Sequence, residues 1–309
     1  MEPHVLVVIP AYNRERYLCA AIESVLRQAY RAWRLVVVDD GSTDGTASVA
    51  QRYAHEDDRI TVVRQANAGI SAARNRGLAE GPEDAPYLAF LDSDDAWNGE
   101  VLAPFVETLE RAPGLVGAHG LARAIDGEGA PVPGDTLAEQ MRARRGYEGR
   151  QLVAWPLDAP TTFCVLAHDH CMVTPGACLY RRAAFEEAGG FDPALPVAED
   201  WDLHWRMTRR GDFAFRDEIV LDWRRHDANT SSNARFFQCH VAVRRKMLAD
   251  RHCTREQRAI AARAFRRLIL LSAFDVPLLA ARGRLGEAAG RARRAAYGLA
   301  QYAQGCLGR

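Results

Sequence analysis

The sequence is short of several features that mark special classes of protein. Its 40 basic and 40 acidic residues cancel, and only one of the basic residues, Lys246, is a lysine. With no excess of positive charge over the whole chain, we expect no nucleic-acid partner. Apolar residues make up 48% and charged residues 26% of the chain, which is typical of a soluble globular protein.

Signs of disulfides and of membrane insertion are also missing. The seven cysteines are odd in number and include no Cys-x-x-Cys pair, so we expect a reducing, cytoplasmic environment. The N-terminus lacks the basic start of a signal peptide. The most apolar part of the tail, residues 268–281, contains Asp275 and Pro277 and is shorter than the ~20 apolar residues of a transmembrane helix.

The charge that is present is unevenly distributed. Residues 235–309 carry 16 basic and 4 acidic residues, whereas residues 1–234 carry 24 basic and 36 acidic ones. The tail also shows a stripe of apolar residues at helical spacing, with arginines nearby, and the stripe includes Ile260, Ala264, Leu268 and Leu271. Two interpretations stay open for these helices. They form a packing or homodimer contact, or they dock on an anionic membrane at its inner face.

Buried strands and amphipathic helices alternate in the first part of the chain. Apolar runs predict strands, and apolar residues at helical spacing predict the helices between them. We predict strands over residues 5–10, 34–40, 60–65 and 87–91, and helices over 15–29, 44–54, 70–80 and 99–111. This order indicates an α/β fold with a doubly wound, mostly parallel, Rossmann-like sheet and a helical C-terminal extension.

The rest of the chain gives weaker patterns. Residues 127–170 have the composition of irregular structure, and residues 176–192 predict a short strand and a helix. Residues 197–207 predict a helix, and residues 213–226 predict strand structure in a hairpin. Helices follow, with breaks near Pro277 and at residues 283–286.

Two acidic clusters follow predicted strands. Asp39 and Asp40 end the second strand, and Asp92, Asp94 and Asp95 end the fourth. Carboxyl ends of parallel strands share one edge of a sheet, where ligands bind in such folds. Carboxylates packed this closely repel one another, so either they form a solvated turn or a cation holds them together.

Five segments in a fixed order carry a recognisable pattern. They are "VVIPAYNRERYL" (7–18), "VVVDDGSTDGT" (36–46), "NAGISAARNRG" (67–77), "LAFLDSDDAW" (88–97) and "AED" (198–200), and "WRRH" (223–226) follows. Together they resemble a family 2 glycosyltransferase of the glycosyltransferase A fold over residues 4–232. The resemblance implies transfer of a sugar from a nucleoside-diphosphate sugar, a UDP-sugar, to an acceptor hydroxyl with inversion.

The resemblance also implies a domain division and a donor site. Residues 1–232 would form the catalytic domain, with a nucleotide-binding half (1–115) and an acceptor-binding half (116–232), and residues 233–309 would be the basic helical extension. The acceptor would be a saccharide, a glycolipid or a small molecule. Asp40 would accept the imide N–H of uracil, although capping of the strand end is an alternative for Asp39 and Asp40. The implied donor-binding residues are Pro10, Ala11, Tyr12, Asn13, Asp40, Asn67, Gly69, Arg74, Asp92 and Ser93.

A divalent cation, Mn²⁺ or Mg²⁺, is the implied cofactor, because a diphosphate leaving group carries charge that a metal neutralises. By resemblance Asp94 binds this metal, Asp92 binds the ribose or reaches the metal through water, and His226 contacts the metal or the diphosphate. Asp200 resembles the general base, and Glu199 would orient the site. Asp95 either belongs to the same acidic site or caps the helix that follows. For Arg74 the alternative is an ordinary surface charge.

Three other functions fit the sequence less well than a glycosyltransferase. A sugar-phosphate nucleotidyltransferase would carry a Gly-rich, Arg-containing loop where "PAYNRERYL" stands, and a hydrolase of the aspartyl-phosphate kind would want Gly-Thr or Gly-Val after the second aspartate. A non-catalytic sugar-nucleotide or membrane-surface module would not need the acidic constellation. "HDHC" (168–171) suggests zinc through His168, His170 and Cys171, or a loop that lines the acceptor site.

Overall fold

Apolar runs form parallel strands in the first part of the molecule, as predicted. The computed structural model describes residues 4–195, 197–226, 233–273 and 284–307. The strands are β1 (Val5–Ala11), β2 (Trp33–Asp39), β3 (Ile60–Arg64) and β4 (Tyr87–Phe90). The helices between and after them are α1 (Leu18–Leu26), α2 (Thr46–Glu56), α3 (Ile70–Glu80) and α4 (Leu102–Arg111). Each lies within a few residues of its predicted range.

Four further strands complete a mixed sheet of eight. They are β5 (Ala96–Trp97), β6 (Gly117–Ile125), β9 (Cys178–Arg181) and β10 (Phe213–Arg224). The strand order is β3-β2-β1-β4-β9-β6-β10-β5. β9 runs antiparallel to both β4 and β6, and β5 runs antiparallel to β10, whereas the other neighbouring pairs are parallel. The prediction of a mostly parallel, doubly wound sheet is therefore confirmed.

The second half of the sheet unit departs from the sequence-based expectation. β6 was not predicted, and it includes two glycines, His119 and Arg123, which dilute the apolar signal of a buried strand. The hairpin expected over 213–226 is wrong, because β10 is one long strand that pairs with β6 through two shifts of register. The region 127–170 is also more ordered than expected. It contains α5 (Leu137–Arg142), β7 (Arg145–Glu148), β8 (Gln151–Ala154) and α6 (Phe163–His168).

Two short helices and an aromatic cluster lie near the end of β4. α7 (Arg182–Glu187) follows β9, and α8 (Glu199–Met207) precedes β10. The ring of Phe90, at the end of β4, packs edge-on against Phe191 at 4.9 Å and stacks with Phe185 at 5.3 Å. α3 can approach the strands closely because Gly77 has no Cβ; a Cβ at this position would collide with Val8. That approach places the earlier turn of α3, which carries Arg74, against the sheet.

The described chain divides into two compact units. The sheet unit comprises the chain up to Arg144, residues 155–162, and the chain from His170 to the end of β10. The helical unit comprises residues 145–154 and 163–169 with α9 (Asn233–Ala249), α10 (Arg255–Ala273) and α11 (Leu285–Leu307). The break predicted near Pro277 lies outside the described residues. Of the break predicted at 283–286, Gly283 also lies outside them, whereas Leu285 and Gly286 belong to α11.

The helical unit buries part of the predicted apolar stripe of the tail. Ile260, Ala261, Ala264 and Phe265 of α10 are all buried. Leu271, which was expected on the same stripe, is 52% exposed. Within the described ranges, no helix combines the length and the hydrophobicity that a membrane span requires.

Candidate active site

Three strand ends meet at one edge of the sheet. β2 and β4 both run parallel to β1 and lie on its two sides. The N–H of Asp40 donates to the carbonyl oxygen of Ala11 at 2.8 Å, and the N–H of Leu91 donates to that of Val8 at 3.0 Å. The acidic turns after β2 and β4 therefore share this edge, as predicted.

Asp40 is buried and organises the loop after β3. Its Oδ1 accepts hydrogen bonds from Gln65 Nε2 at 2.7 Å and from the N–H of Ala68 at 2.9 Å. Its Oδ2 accepts from the N–H of Gly69 at 2.9 Å. Gly69 has φ +90°, a conformation that favours glycine. Asp40 thus brings Asn67 and Gly69 beside the strand ends.

Asp39 caps the end of β2, which was the alternative role considered for both Asp39 and Asp40. Its Oδ1 accepts from the N–H of Ser42 at 3.0 Å, and its Oδ2 lies 3.0 Å from Arg64 Nε. Asp39 is fully buried. It caps the strand end, whereas Asp40 reaches across to a neighbouring loop.

The loop after β1 lies against the loop after β2. The N–H of Asn13 donates to Ser42 Oγ at 3.0 Å, and Asn13 Oδ1 accepts from the N–H of Thr43 at 2.8 Å. Asn13 has φ +51°, which costs of order 1–3 kcal/mol in a residue other than glycine. Tyr12 beside it is 45% exposed. Pro10 and Ala11 complete this edge as the last residues of β1.

Arg74 joins two acidic elements that are far apart in the sequence. Its Nη2 donates to Asp92 Oδ1 at 2.6 Å, and its Nη1 donates to Glu199 Oε1 at 2.7 Å. Its guanidinium lies over the ring of Phe191, 4.9 Å from the centroid. The side chain is only 1% exposed, so the alternative of a surface helix charge is wrong.

Asp94 lies between two cationic or titratable side chains. Its Oδ2 accepts from Arg14 Nε at 3.0 Å and lies 3.0 Å from His226 Nε2. The ring of Tyr17 stacks on His226 with centroids 5.1 Å apart. Ser93 is buried in the same turn. The structure therefore brings Asp94 and His226 together, as the sequence predicted.

Asp95 does not cap the helix that follows. β5 comes next, and α4 begins only at Leu102, with Val101 as a cap residue that makes no side-chain capping bond. Instead, Asp95 Oδ1 accepts from the N–H of Arg224 at 2.8 Å. Burial, together with the charges of Asp94 and Asp92, raises the pKa of Asp95 well above its ordinary value.

Glu199 and Asp200 begin α8. Ala198 before them has φ +61°, so both non-glycine residues with positive φ in the described chain, Asn13 and Ala198, lie beside the site. The side chains of Glu199 and Asp200 are 11% and 8% exposed. Asp200 Oδ1 accepts from the N–H of Trp201 at 2.7 Å.

The carboxylates of the site differ in their electrostatics. Burial raises the pKa of Asp92 and of Glu199, and the charge of Arg74 offsets only part of the increase. Burial would also raise the pKa of Asp200, but several interactions, of which those with His170 are the largest, together hold the pKa of Asp200 below its ordinary value. Asp200 is therefore kept ionised although it is buried.

The side chains of the site could supply only some of the ligands that a divalent cation needs. Asp94 provides a carboxylate oxygen, the ligand type that suits Mn²⁺ or Mg²⁺, and His226 provides an imidazole nitrogen 3.0 Å from it. Within the described ranges, no three His, Cys, Asp or Glu side chains form a metal-binding group, so phosphate oxygens or water would have to complete the coordination. The same finding covers His168, His170 and Cys171, and the zinc hypothesis is not supported.

Sequence reasoning missed Arg14, and it named His170 only as a zinc ligand or as part of a loop that lines the acceptor site. Arg14 lies in the quoted "NRER" stretch, and its position just after β1 was the available signal. His170 lies in the region interpreted as irregular, and nothing in its local sequence pairs it with Asp200, to whose Oδ2 its Nε2 lies 3.3 Å away.

Comparison with known proteins decides the family. The family model described as "Glycosyl transferase family 2" matches residues 6–189, more than half of the chain. The chain belongs to glycosyl transferase family 2. The family 2 match covers the segments that carried the resemblance up to "LAFLDSDDAW". It favours a glycosyltransferase over a nucleotidyltransferase or an aspartyl-phosphate hydrolase.

Curated family 2 relatives resemble part of the chain. A putative teichuronic acid biosynthesis glycosyltransferase, TuaG of Bacillus subtilis, is 41% identical over 109 residues, 35% of this chain and 42% of its own length. The uncharacterized glycosyltransferase EpsJ of the same organism is 32% identical over 205 residues, 65% of this chain and 54% of its own length. The chain thus spans about half the length of these two relatives.

Solved structures confirm the fold. Residues 1–349 of S. aureus TarS in complex with UDP-GlcNAc match with a TM-score of 0.61 at 18% identity, over 98% of this chain and 92% of that one. The mannosyltransferase PcManGT from Pyrobaculum calidifontis, in complex with GDP-Man and Mn²⁺, matches with a TM-score of 0.61 at 18% identity, over 97% and 88%. This family 2 chain therefore has the glycosyltransferase A fold.

Proposed function

We propose that the protein transfers a sugar from a nucleoside-diphosphate sugar, a UDP-sugar, to an acceptor hydroxyl with inversion, assisted by a divalent cation. The observation that carries the proposal is the Arg74 bridge. One buried guanidinium holds Asp92 at 2.6 Å and Glu199 at 2.7 Å, so the strand-end acidic turn and the start of α8 belong to one site. Catalysis of transfer needs both elements, one for the diphosphate and one for the acceptor.

The donor would lie along the edge formed by the ends of β1, β2 and β4. The half-exposed ring of Tyr12 offers an apolar face for a nucleobase. Asp40 Oδ2 accepts one protein hydrogen bond, from Gly69, which leaves a lone pair for an imide N–H of uracil. The complex of TarS with UDP-GlcNAc supports a uridine donor, and that of PcManGT with GDP-Man keeps a guanosine donor as the alternative.

Asp94 and His226 would hold the cation, with Asp92 reaching it through water or binding the ribose. A bound Mn²⁺ or Mg²⁺ would neutralise charge on the diphosphate. Arg14 also contacts the same oxygen of Asp94, at 3.0 Å. The PcManGT complex with Mn²⁺ supports this cofactor.

Asp200 would act as the general base. As the acceptor oxygen forms its bond to the anomeric carbon, the hydroxyl proton passes to the Asp200 carboxylate and the bond to the diphosphate breaks. The depressed pKa of Asp200 keeps its carboxylate in the ionised form that a general base requires. Glu199, held by Arg74, would keep the start of α8 in place. Attack from the face opposite the leaving group gives inversion.

The domain roles follow from this assignment. We assign catalysis to residues 1–232, with nucleotide binding in 1–115 and acceptor binding in 116–232, and a supporting role to the extension 233–309. The acceptor would be a saccharide, a glycolipid or a small molecule, used in the cytoplasm.

The helical unit would contact an anionic membrane at its inner face. Leu270 is 70% exposed and Leu299 is 60% exposed, and exposed arginines lie nearby in the sequence of both helices. Exposed apolar side chains with arginines suit an anionic lipid surface, where a lipid-linked acceptor would be presented. A homodimer contact through the same helices is the alternative.

A donor screen tests the proposed function. Purified protein would be incubated with UDP-glucose, UDP-galactose, UDP-N-acetylglucosamine and GDP-mannose, with Mn²⁺, Mg²⁺ or EDTA, and release of free nucleoside diphosphate would be followed. We expect metal-dependent release from one UDP-sugar. Thermal stabilisation by donors without any release, even with saccharide and glycolipid acceptors added, would instead indicate a binding module.

A further inference from the structure

A buried histidine that the proposed mechanism does not use lies against the candidate base. His170 follows α6 in the segment before β9, and its side chain is 8% exposed. Its Nε2 lies 3.3 Å from Asp200 Oδ2. Its ring stacks on the ring of Trp201, with centroids 5.4 Å apart and planes at 13°. His170 is thus held both by a carboxylate and by an aromatic face.

Both oxygens of Asp200 have a partner because of this arrangement. The backbone N–H of Trp201 donates to Oδ1 at 2.7 Å, and the indole of the same residue supports the imidazole that faces Oδ2. Trp201 is fully buried, so neither partner can move freely. A carboxylate held at both oxygens cannot rotate about its last bond, and its remaining lone pairs keep a fixed direction.

We propose that His170 is a positioning residue for the general base, which orients the Asp200 carboxylate toward the acceptor hydroxyl and keeps it ionised. The inference rests on the proposed function of Asp200. An imidazole that presents its Nε2–H to Oδ2 stabilises the ionised form of the carboxylate. His170 itself does not have to touch the substrates. Orientation of a general base within hydrogen-bonding reach of its proton is part of what such a base contributes to rate.

Other groups around Asp200 do not replace His170. Burial lowers the pKa of His204, one turn along α8, to about 3, so that residue is neutral. Asp92 and Glu199 carry the same charge as Asp200 when ionised and would oppose its ionisation. The titratable groups that face Asp200 are His170, His204, Glu199, Asp92, Cys178 and Tyr180. Of these, His170 is the one whose ring nitrogen lies 3.3 Å from a carboxylate oxygen of Asp200.

A matched pair of variants separates positioning from packing. His170→Phe keeps a flat ring for stacking on Trp201 but removes Nε2, whereas His170→Gln keeps a polar N–H donor but removes the ring. We expect kcat of His170→Phe to fall about tenfold at pH 7, with an unchanged KM for the donor, and its acidic limb to move to higher pH. His170→Gln should retain more of the activity. If packing alone mattered, the order of the two variants would be reversed and the acidic limb would not move.

A double-mutant cycle tests whether His170 acts through Asp200. The probe is whichever of UDP-glucose, UDP-galactose, UDP-N-acetylglucosamine and GDP-mannose the wild type turns over fastest. If His170 acts through the base, adding His170→Phe to Asp200→Asn will cost less than twofold further, because the carboxylate it orients is gone. A full tenfold further loss would assign His170 an independent role and overturn the proposal. His170→Ala replaces His170→Phe in the cycle if the latter does not fold.

The outcome can be told apart from a failure of the proposed function. If the wild type releases no nucleoside diphosphate from any donor, the proposed function fails before His170 is tested. If the wild type turns over and Asp200→Asn does not, but neither His170 variant changes kcat or the pH profile, only the role of His170 is overturned.

Discussion

The two carboxylates that Arg74 contacts and the carboxylate of Asp200 are held in different ways. Asp92 and Glu199 share one buried arginine, and burial raises the pKa of each. Asp200 has a backbone N–H on one oxygen and His170 near the other, and its pKa is lowered. The same chemical group is thus prepared for two tasks. In the function that we propose, Asp92 would serve the donor and its cation and Glu199 would orient the start of α8, whereas Asp200 would accept a proton.

Removal of Asp94 should have the largest effect on the donor side. Asp94→Ala takes away the carboxylate that lies 3.0 Å from His226, and with it the cation site that we propose. A catalytic metal contributes several kcal/mol of charge stabilisation, so we expect loss of about 10³-fold in turnover. Nucleoside-diphosphate release and Mn²⁺-dependent donor stabilisation would both be measured. Glu107→Ala, an exposed charge on α4, is the control. Full activity of Asp94→Ala in EDTA would rule out the metal assignment.

Removal of Arg74 should uncouple the two sides of the site. Arg74→Met leaves the buried Glu199 and the partly buried Asp92 without their shared partner, and breaking a buried pair of this kind costs about 3–5 kcal/mol of stability. Urea unfolding would measure this cost. Arg76→Met on the same helix is the matched control, since Arg76 is half-exposed and pairs only with Glu80 within α3. Equal stability of the two variants would show that the bridge is not formed.

The pH dependence should separate the two sets of carboxylates. The pKa values of Asp92 and Glu199 are raised, so these groups take up protons first as the pH falls, which weakens cation and donor binding. The pKa of Asp200 is held below its ordinary value by interactions led by those with His170, so the base stays ionised over the same range. We therefore expect KM for the donor to rise in mild acid while kcat holds. A kcat that falls before KM rises would contradict this order.

The smallest effect should be binding of the helical unit to lipid. Each basic residue near an anionic surface contributes roughly 1 kcal/mol, so a pair of charge reversals should weaken binding measurably but modestly. Sedimentation with phosphatidylserine and phosphatidylcholine vesicles would compare the wild type with Arg293→Glu/Arg294→Glu. Arg76→Glu/Arg111→Glu in the sheet unit is the control. Negligible binding of the wild type to both vesicles at low salt would leave these helices a packing or dimer role.

Sequence patterns foresaw the parts of the fold in which burial leaves a simple trace. β1 to β4 are apolar runs, and their shared edge follows from parallel pairing alone. The pattern failed to predict β6. There His119 is buried, and its Nε2 lies 2.7 Å from Thr161 Oγ1, a partner that no local pattern reveals. The alternative role predicted for Asp95, capping of the next helix, was wrong for the same reason. Its partner, the N–H of Arg224, lies far along the chain.

The site itself was foreseen as a set of motifs but not as a network. The resemblance supplied Asp94, His226, Glu199 and Asp200, but it could not show which residues contact which. The burial of Arg74 and its bridge between two motifs depend on how α3 and α8 pack. The contact of His170 with Asp200 likewise depends on tertiary structure in a region whose composition suggested a loop.

Replacement of the proposed base tests the central claim most directly. Asp200→Asn keeps the shape of the side chain but cannot take a proton, so donor binding should survive while turnover falls about 10²–10⁴-fold. Donor affinity, single-turnover rate and the anomeric configuration of the product by NMR would be measured together. Retained affinity, a loss in this range and an inverted product are predicted. A loss below about tenfold with chemistry rate-limiting, or a product of retained configuration, would contradict the account.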